Sequence, residues 1–171
     1  GDILFSVKSC SSVFITTKTA IGVVLCPVNR LAVALDEATL EWGGYAKGEI
    51  GSAARGTSGK SNTAAILAYG KANNISYPAA EYCNTYSTAG TKAGDWFLPS
   101  LEELKLLSNN FSEINNSLKV LGKVMDDTES GYYWSSSEYN YYFARLLVPS
   151  SGGTSNYIKN ISYRVRPVLA F

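Results

Sequence analysis

Helical periodicity is confined to the middle of this chain and strand-like alternation occupies both ends, a distribution that few architectures accommodate. On the N-terminal side, Asp2 to Val7, Ala20 to Cys26 and Leu31 to Leu35 read as strands. The last two are separated by a Pro27-Val28-Asn29-Arg30 turn, and the group predicts a small antiparallel unit. After a Gly-, Ala- and Ser-rich stretch from Trp42 to Lys60, read as an irregular loop, a helix is expected from about Asn62 to Ala72. A second helix carries the strongest local signal. Pro99 stops the preceding strand, Ser100 and Glu103 make a capping box, and Leu101, Leu104 and Leu107 share one face before Asn109 and Asn110 end it. Ser112 is the expected cap of a short third helix through Ile114, Leu118 and Leu121, ended by Gly122. Strands return over Gly131 to Ser136, Tyr142 to Val148, Asn156 to Ile161 and Arg164 to Phe171, with a loop from Pro149 to Gly153. Strands on both sides of a helical middle predict an α+β fold, in which the first and last strands lie near each other in one sheet.

A chain of 171 residues suits one domain, with enough length to bury a sizeable core. Fifteen basic and 14 acidic side chains leave a net charge of +1, with no basic stripe, so nucleic acid is not an expected partner. Histidine is absent, which removes the commonest general base and the commonest metal ligand. Cys10, Cys26 and Cys83 are widely spaced and odd in number, and any disulfide among them stays open. No stretch nears the roughly 18 consecutive apolar residues of a membrane span. The chain begins at Gly1 without Met, which is compatible with removal of an upstream signal peptide or anchoring domain.

Catalytic readings find little to rest on. Ala54-Arg55-Gly56-Thr57-Ser58-Gly59-Lys60-Ser61 imitates a phosphate-binding loop, yet the residues before it do not form the buried strand such a loop needs. The Leu31 to Asp36 stretch resembles a magnesium-holding strand but precedes that loop outside any series of βα units. Glu102 with Glu103, and Asp126 with Asp127, read as solvated surface charge. No cofactor and no metal site is expected. Of the tryptophans, Trp96 and Trp134 have core contexts, whereas Trp42 among glycines is a candidate stacking platform for a sugar.

The C-terminal region differs in kind. The chain has 12 tyrosines, many beside Ser, Asn or Gly, a mixture suited to binding because Tyr supplies contact area at low entropic cost while small polar residues adapt. Along Tyr142 to Pro149, alternation sets Ala144, Leu146 and Val148 on a core-like face and Phe143, Arg145, Leu147 and Pro149 on a mixed one. The Leu146-Leu147-Val148 run is also compatible with complete burial. From Ser155 to Tyr163 polar and large apolar residues mingle too freely for a core.

The segments Trp96-Phe97-Leu98-Pro99-Ser100-Leu101-Glu102-Glu103-Leu104, Tyr133-Trp134-Ser135-Ser136-Ser137-Glu138 and Arg164-Val165-Arg166-Pro167-Val168-Leu169-Ala170-Phe171 resemble the variable proteins of diversity-generating retroelements. These are gut-bacterial and phage proteins with a C-type-lectin-like fold of the formylglycine-generating-enzyme type. Gly1-Asp2-Ile3-Leu4 and Lys18-Thr19-Ala20-Ile21-Gly22-Val23-Val24 are similar to related Bacteroides domains, so the resemblance covers most of the chain. It implies a scaffold over residues 1–133 and a variable region over 134–171 that ends in a fixed strand.

In that family a reverse transcriptase misreads template adenines, and Asn codons become other residues. Carried onto this chain, the diversified, ligand-binding positions are Tyr139, Tyr141, Tyr142, Phe143, Arg145, Leu147, Pro149, Ser150, Ser151, Gly153, Ser155, Asn156, Tyr157, Ile158, Asn160, Ile161, Ser162 and Tyr163. Each is reachable from an Asn codon by adenine substitution. Lys159 is not, so it is expected to be fixed, as are Trp134, Glu138 and Arg164 to Phe171. Ala144, Leu146, Val148, Val165, Val168 and Leu169 would form the frame.

The resemblance implies a non-catalytic display domain, extracellular, on a cell surface or virion, recognising a protein or glycan. A fixed-sequence, calcium-independent lectin or pilus-tip adhesin is the alternative, since the Glu-Pro-Asn, Gln-Pro-Asp and Trp-Asn-Asp motifs of calcium-dependent sugar binding are missing. An enzyme is less expected, because the formylglycine-generating relatives use a cysteine pair near the C-terminus and the last cysteine here is Cys83.

Overall fold

The structure, a computed structural model, describes residues 3–5, 19–26, 30–128 and 130–171. It is α+β, with two five-stranded sheets among the described residues. The first sheet has the order β1-β2-β3-β10-β5, formed by Ile3–Phe5, Ala20–Cys26, Leu31–Ala34, Val168–Ala170 and Trp96–Phe97. The second has the order β4-β9-β6-β7-β8, formed by Ala38–Glu41, Ser162–Val165, Tyr133–Glu138, Phe143–Leu147 and Thr154–Ile158. The first and last strands share a sheet as their sequence position predicts, with β2 and β3 between them. The N-terminal unit is not wholly antiparallel: β2 and β3 are, but β1 runs parallel to β2. Asp2, Ser6, Val7 and the Pro27, Val28 and Asn29 turn lie outside the described residues, as does Cys10.

Two strands come from what reads as one C-terminal strand. The Arg164 to Phe171 run breaks at Arg166 and Pro167, placing β9 in the second sheet and β10 in the first. Pro167 has no N–H for a ladder, while its carbonyl accepts from the Ala34 amide at 2.9 Å. Arg166 is buried at the crossing. It donates to the Ala34 and Leu35 carbonyls at 2.8 and 3.1 Å, to Val124 O at 2.6 Å, and twice to the Glu37 carboxylate. The chain crosses between the sheets here a second time, from β3 to β4, so one buried guanidinium ties both crossings.

Among the described residues there are four α-helices: α1 (Gly59–Asn73), α2 (Pro78–Thr85), α3 (Leu101–Asn109) and α4 (Phe111–Val120). The capping box of α3 is present as its sequence predicts, with Ser100 Oγ accepting from the Glu103 amide and Glu103 Oε2 accepting from the Ser100 amide. Helix α4 starts at Phe111 after an Asn110 N-cap that makes no side-chain bond, so Ser112 lies inside its first turn. Helix α2 is absent from the sequence reading. Its buried face is Ala79, Ala80 and Cys83, too small to register as an apolar stripe, and its start is marked by Pro78 and Glu81 in the first turn, the latter accepting from the Tyr77 amide.

The core is split by the sheets. One cluster sets Val23, Val33, Phe97 and Val168 against Leu104 and Leu107 of α3 and Ile114 and Leu118 of α4, and includes Leu147. A second gathers Trp42, Ile66, Tyr77, Leu98, Trp134, Ala144, Leu146 and Val165. Trp96 and Trp134 are buried as expected. Cys83 is a free thiol in the second cluster, and burial pushes its pKa well above the ordinary range.

Candidate functional site

The surface formed by the C-terminal region stands on a buried ion pair. Lys159 Nζ lies 2.7 Å from Glu138 Oε1, and both side chains are 0% exposed. Glu138 also accepts from the amides of Ile50 and Gly51 at 3.2 and 2.7 Å, and Arg55 stands 3.9 Å away. The Lys159 ammonium sits 4.9 Å above the Trp42 ring. Burial lowers the Lys159 pKa, and its bond to Glu138 works against that shift. Backbone bonds complete the knot, with the Gly43 amide donating to Lys159 O and the Lys159 amide to Tyr142 O. The pair thus joins the end of β6, the turn after β8 and the long loop from Gly43 to Arg55. Both residues are expected to be fixed, and the geometry is consistent with that: without Glu138 the buried Lys159 ammonium has no carboxylate, and without Lys159 the buried Glu138 keeps only two amides and the more distant Arg55.

Trp42 is 1% exposed, which removes it as a sugar platform. Its Nε1 donates to Ser135 O at 2.8 Å and its ring meets Tyr77 edge-on. Gly43 and Gly44 let the chain leave this tryptophan over Tyr77. Both have positive φ, and a Cβ on either would lie about 2.6 Å or less from Tyr77 atoms. The glycines around Trp42 serve close packing rather than exposure.

Above this base the tyrosines form one group. Tyr141 Oη donates to Ala46 O at 2.7 Å, its ring lies 4.8 Å from that of Tyr142, and Tyr142 lies 5.8 Å from Tyr45. Asn140 shapes the turn beneath them by accepting from the Tyr142 and Phe143 amides, each at 2.9 Å. Tyr139 stacks under the Arg145 guanidinium at 5.5 Å. Tyr45 lies outside residues 134–171 and belongs to this group through its loop, which no local sequence signal could disclose.

The register of β7 and β8 shows that the candidate positions do not form a single face. Phe143 pairs with Ile158 and Arg145 with Asn156 on one side of the hairpin, while Tyr157 stands opposite Ala144 on the other. Tyr157 meets Tyr163 at 5.2 Å, and Tyr163 in turn packs edge-on against Trp134 and Tyr132. Tyr163 is half-buried, and partial desolvation followed by its bond with Tyr157 pushes its phenol up to about 12.

Most of the candidate positions are solvent-accessible. Tyr139, Tyr141, Tyr142, Arg145, Ser150, Ser151, Gly153, Ser155, Asn156, Tyr157, Asn160, Ile161 and Ser162 are exposed, and Phe143, Ile158 and Tyr163 are half-buried. Leu147 and Pro149 are corrections, since both are buried. Leu147, at 0% exposure, packs with Leu101, Leu104 and Leu107 where α3 covers the end of β7. Ser108 of the same helix donates to Pro149 O at 2.7 Å and draws the following loop under it. Period-two alternation identifies a solvent face only where no second element lies on it. The frame residues Ala144, Leu146, Val148, Val165, Val168 and Leu169 are all buried.

The stretch that imitates a phosphate-binding loop has a different architecture. Ser58 caps α1, and the Gly59 amide donates to both oxygens of Glu103 at 3.2 Å. A carboxylate of the protein itself therefore sits at the helix start where a phosphate would bind. Glu103 is accordingly not a solvated surface charge, and burial raises its pKa against the opposing bonds from the Ser100 and Gly59 amides. Asp126 is likewise engaged, with Arg164. Among the described residues no group of three or more His, Cys, Asp or Glu side chains is placed to hold a metal, and no helix is long and apolar enough to cross a membrane.

No family model and no curated protein matches this sequence. Among solved structures, the crystal structure of a fimbrial protein from Bacteroides ovatus is similar in fold, with a TM-score of 0.66 at 19% identity. The match covers 96% of this chain and 40% of that one, so the chain spans less than half the length of the fimbrial protein it resembles.

Proposed function

We propose that this chain is a non-catalytic ligand-binding display domain with a C-type-lectin-like fold, a variable protein of a diversity-generating retroelement that recognises a protein or glycan on a cell or host surface. The observation that carries this reading is the separation of exposed from buried positions within one segment. All the candidate positions except Leu147 and Pro149 reach solvent, while the interleaved Ala144, Leu146, Val148, Lys159 and Glu138 are buried. Side chains that reach solvent and make few core contacts can change at small cost to the fold, which supports a surface that tolerates substitution. Exposed tyrosines beside Ser, Asn and Gly supply rigid anchors and adaptable polar contacts. The occupied start of α1 supports a binding module over a nucleotide enzyme. Leu147 and Pro149 drop out of the proposed contact set. Display outside the cell, on a surface or virion, belongs to the same reading.

The likeness to a fimbrial protein supports a second reading, a pilus-tip adhesin or calcium-independent lectin of fixed sequence. The flanking DNA separates the two. A nearby copy of the segment coding for 134–171, differing from it at adenines, is the expected finding; its absence, together with an unvarying sequence across isolates, would leave the fixed adhesin.

A further inference from the structure

A groove runs beside the tyrosine group, between the Arg55-Gly56-Thr57 loop, the start of α3 and the β7–β8 hairpin. Its wider part encloses about 250 Å³ and includes Glu102, Ser137, Tyr139 and Arg145 in its walls. Past Leu101 and Arg145 it continues into a space of about 150 Å³ bounded by Thr154, Ser155 and Asn156. Arg145 is common to both parts.

The charges around the groove are paired, with one exception. Arg55 is bonded to Glu49, Glu138 to Lys159 and Glu102 to Lys105. Arg145 is in none of the ion pairs among the described residues. Its guanidinium lies over the Tyr139 ring, which supports the plane and leaves N–H donors free at its edge. A stacked guanidinium of this kind is pre-organised for a planar carboxylate, which it can bind through two parallel hydrogen bonds. Elsewhere the walls offer hydroxyls and an amide from Thr57, Ser137, Thr154 and Asn156, and Leu101 is the principal apolar contribution. A peptide ligand would call for deeper apolar pockets; short-range hydroxyl and amide donors and acceptors match a polyhydroxyl ligand.

Resting on the display reading, we infer that in this variant the groove binds an acidic saccharide unit, with the sugar carboxylate on Arg145 and the ring hydroxyls on the surrounding polar side chains. Fixed frame residues form one wall and display positions the other. The frame thus supplies a constant cleft, and residue 145 sets the charge of what enters it.

The test is binding of the intact chain to a panel of oligouronates, sialylated glycans and their methyl esters, which keep the sugar but remove its charge. Binding to at least one free acid is expected, at least tenfold weaker for its ester and weakened by added salt. Arg145→Gln should abolish it, Arg145→Lys should restore part of it, and Asn116→Ala, exposed on α4 and outside both the groove and the proposed contact set, should change it less than twofold. Equal binding of acid and ester, an unaffected Arg145→Gln variant, or failure to bind any acidic saccharide overturns the inference. If a neutral glycan or a protein binds instead and is lost on Tyr141→Ala or Tyr142→Ala, the display reading stands without it. Ligand binding indifferent to every one of these substitutions overturns both.

Discussion

At the scale of single residues, the molecule interleaves exposed and buried side chains that are neighbours in sequence. Lys159 lies between Ile158 and Asn160, yet it is the buried partner of Glu138 beneath Trp42 and the tyrosine turn. Lys159→Met should strand the Glu138 carboxylate and cost about 3–5 kcal/mol in urea unfolding. Pairing it with an apolar residue at 138 should return part of that loss, although the Ile50 and Gly51 amides then lose their acceptor. Leu147→Ala should cost about 2–5 kcal/mol through the cavity left under α3, whereas Tyr142→Ala, on the surface, should stay within roughly 0.5 kcal/mol. A small effect at Leu147 would return it to the display set.

Tyr163 gives the residue scale a pH signature. Its phenol ionises at a higher pH in the folded chain than in an unfolded one, so its contribution to stability is complete below about 10 and is lost as the pH rises toward about 12. The slope of stability against pH over that window should be shallower for Tyr163→Phe. An unchanged slope would show that the contact with Trp134 and Tyr157 does not perturb the phenol.

At the scale of elements, legibility followed side-chain size and locality. Helix α3 was readable because its cap and its leucines lie within ten residues of each other, and each signal agrees with the others. Ser100→Ala should cost about 1–2 kcal/mol, near the upper end for a cap, because Ser100 Oγ also donates to Thr57 O and so fastens the groove loop. Helix α2 escaped because alanines and a cysteine bury a face without marking it. Strand β7 was read as a strand, but its face was misjudged at Leu147, since what covers a strand end is a helix distant in sequence. The break at Arg166 and Pro167 was visible as a proline only; the carbonyls and Glu37 that hold Arg166 come from two other parts of the chain, residues 34–37 and Val124.

At the scale of the whole molecule, the α+β order and the shared sheet of the first and last strands were legible, because the distribution of periodicities left little choice. The exposed tyrosine-rich surface was legible in composition and in strand alternation, with its particular positions taken from the family resemblance. The loop that brings Tyr45 and Arg55 to that surface was not, because glycine-rich loops carry no periodicity and their course is set by distant anchors, here Tyr77 and Glu138. The resulting arrangement places a frame tied at two crossings beneath a hairpin whose exposed side chains lie on both of its sides. One side looks onto the groove with Arg145, and the other carries Tyr157 beside Tyr163. A ligand gripping one side need not touch the other.

The proposed function requires that the exposed candidate positions be independent of the buried frame. Thermal unfolding of a variant with Tyr139, Tyr141, Tyr142, Arg145, Asn156 and Tyr157 all replaced by Ser, measured beside the parent, tests it most directly. The account predicts a melting temperature within a few degrees of the parent, since about 1 kcal/mol corresponds to roughly 2–4 °C at this size. A fall of more than about 10 °C, equivalent to several kcal/mol on that scale, would contradict it by showing that these side chains hold the fold together.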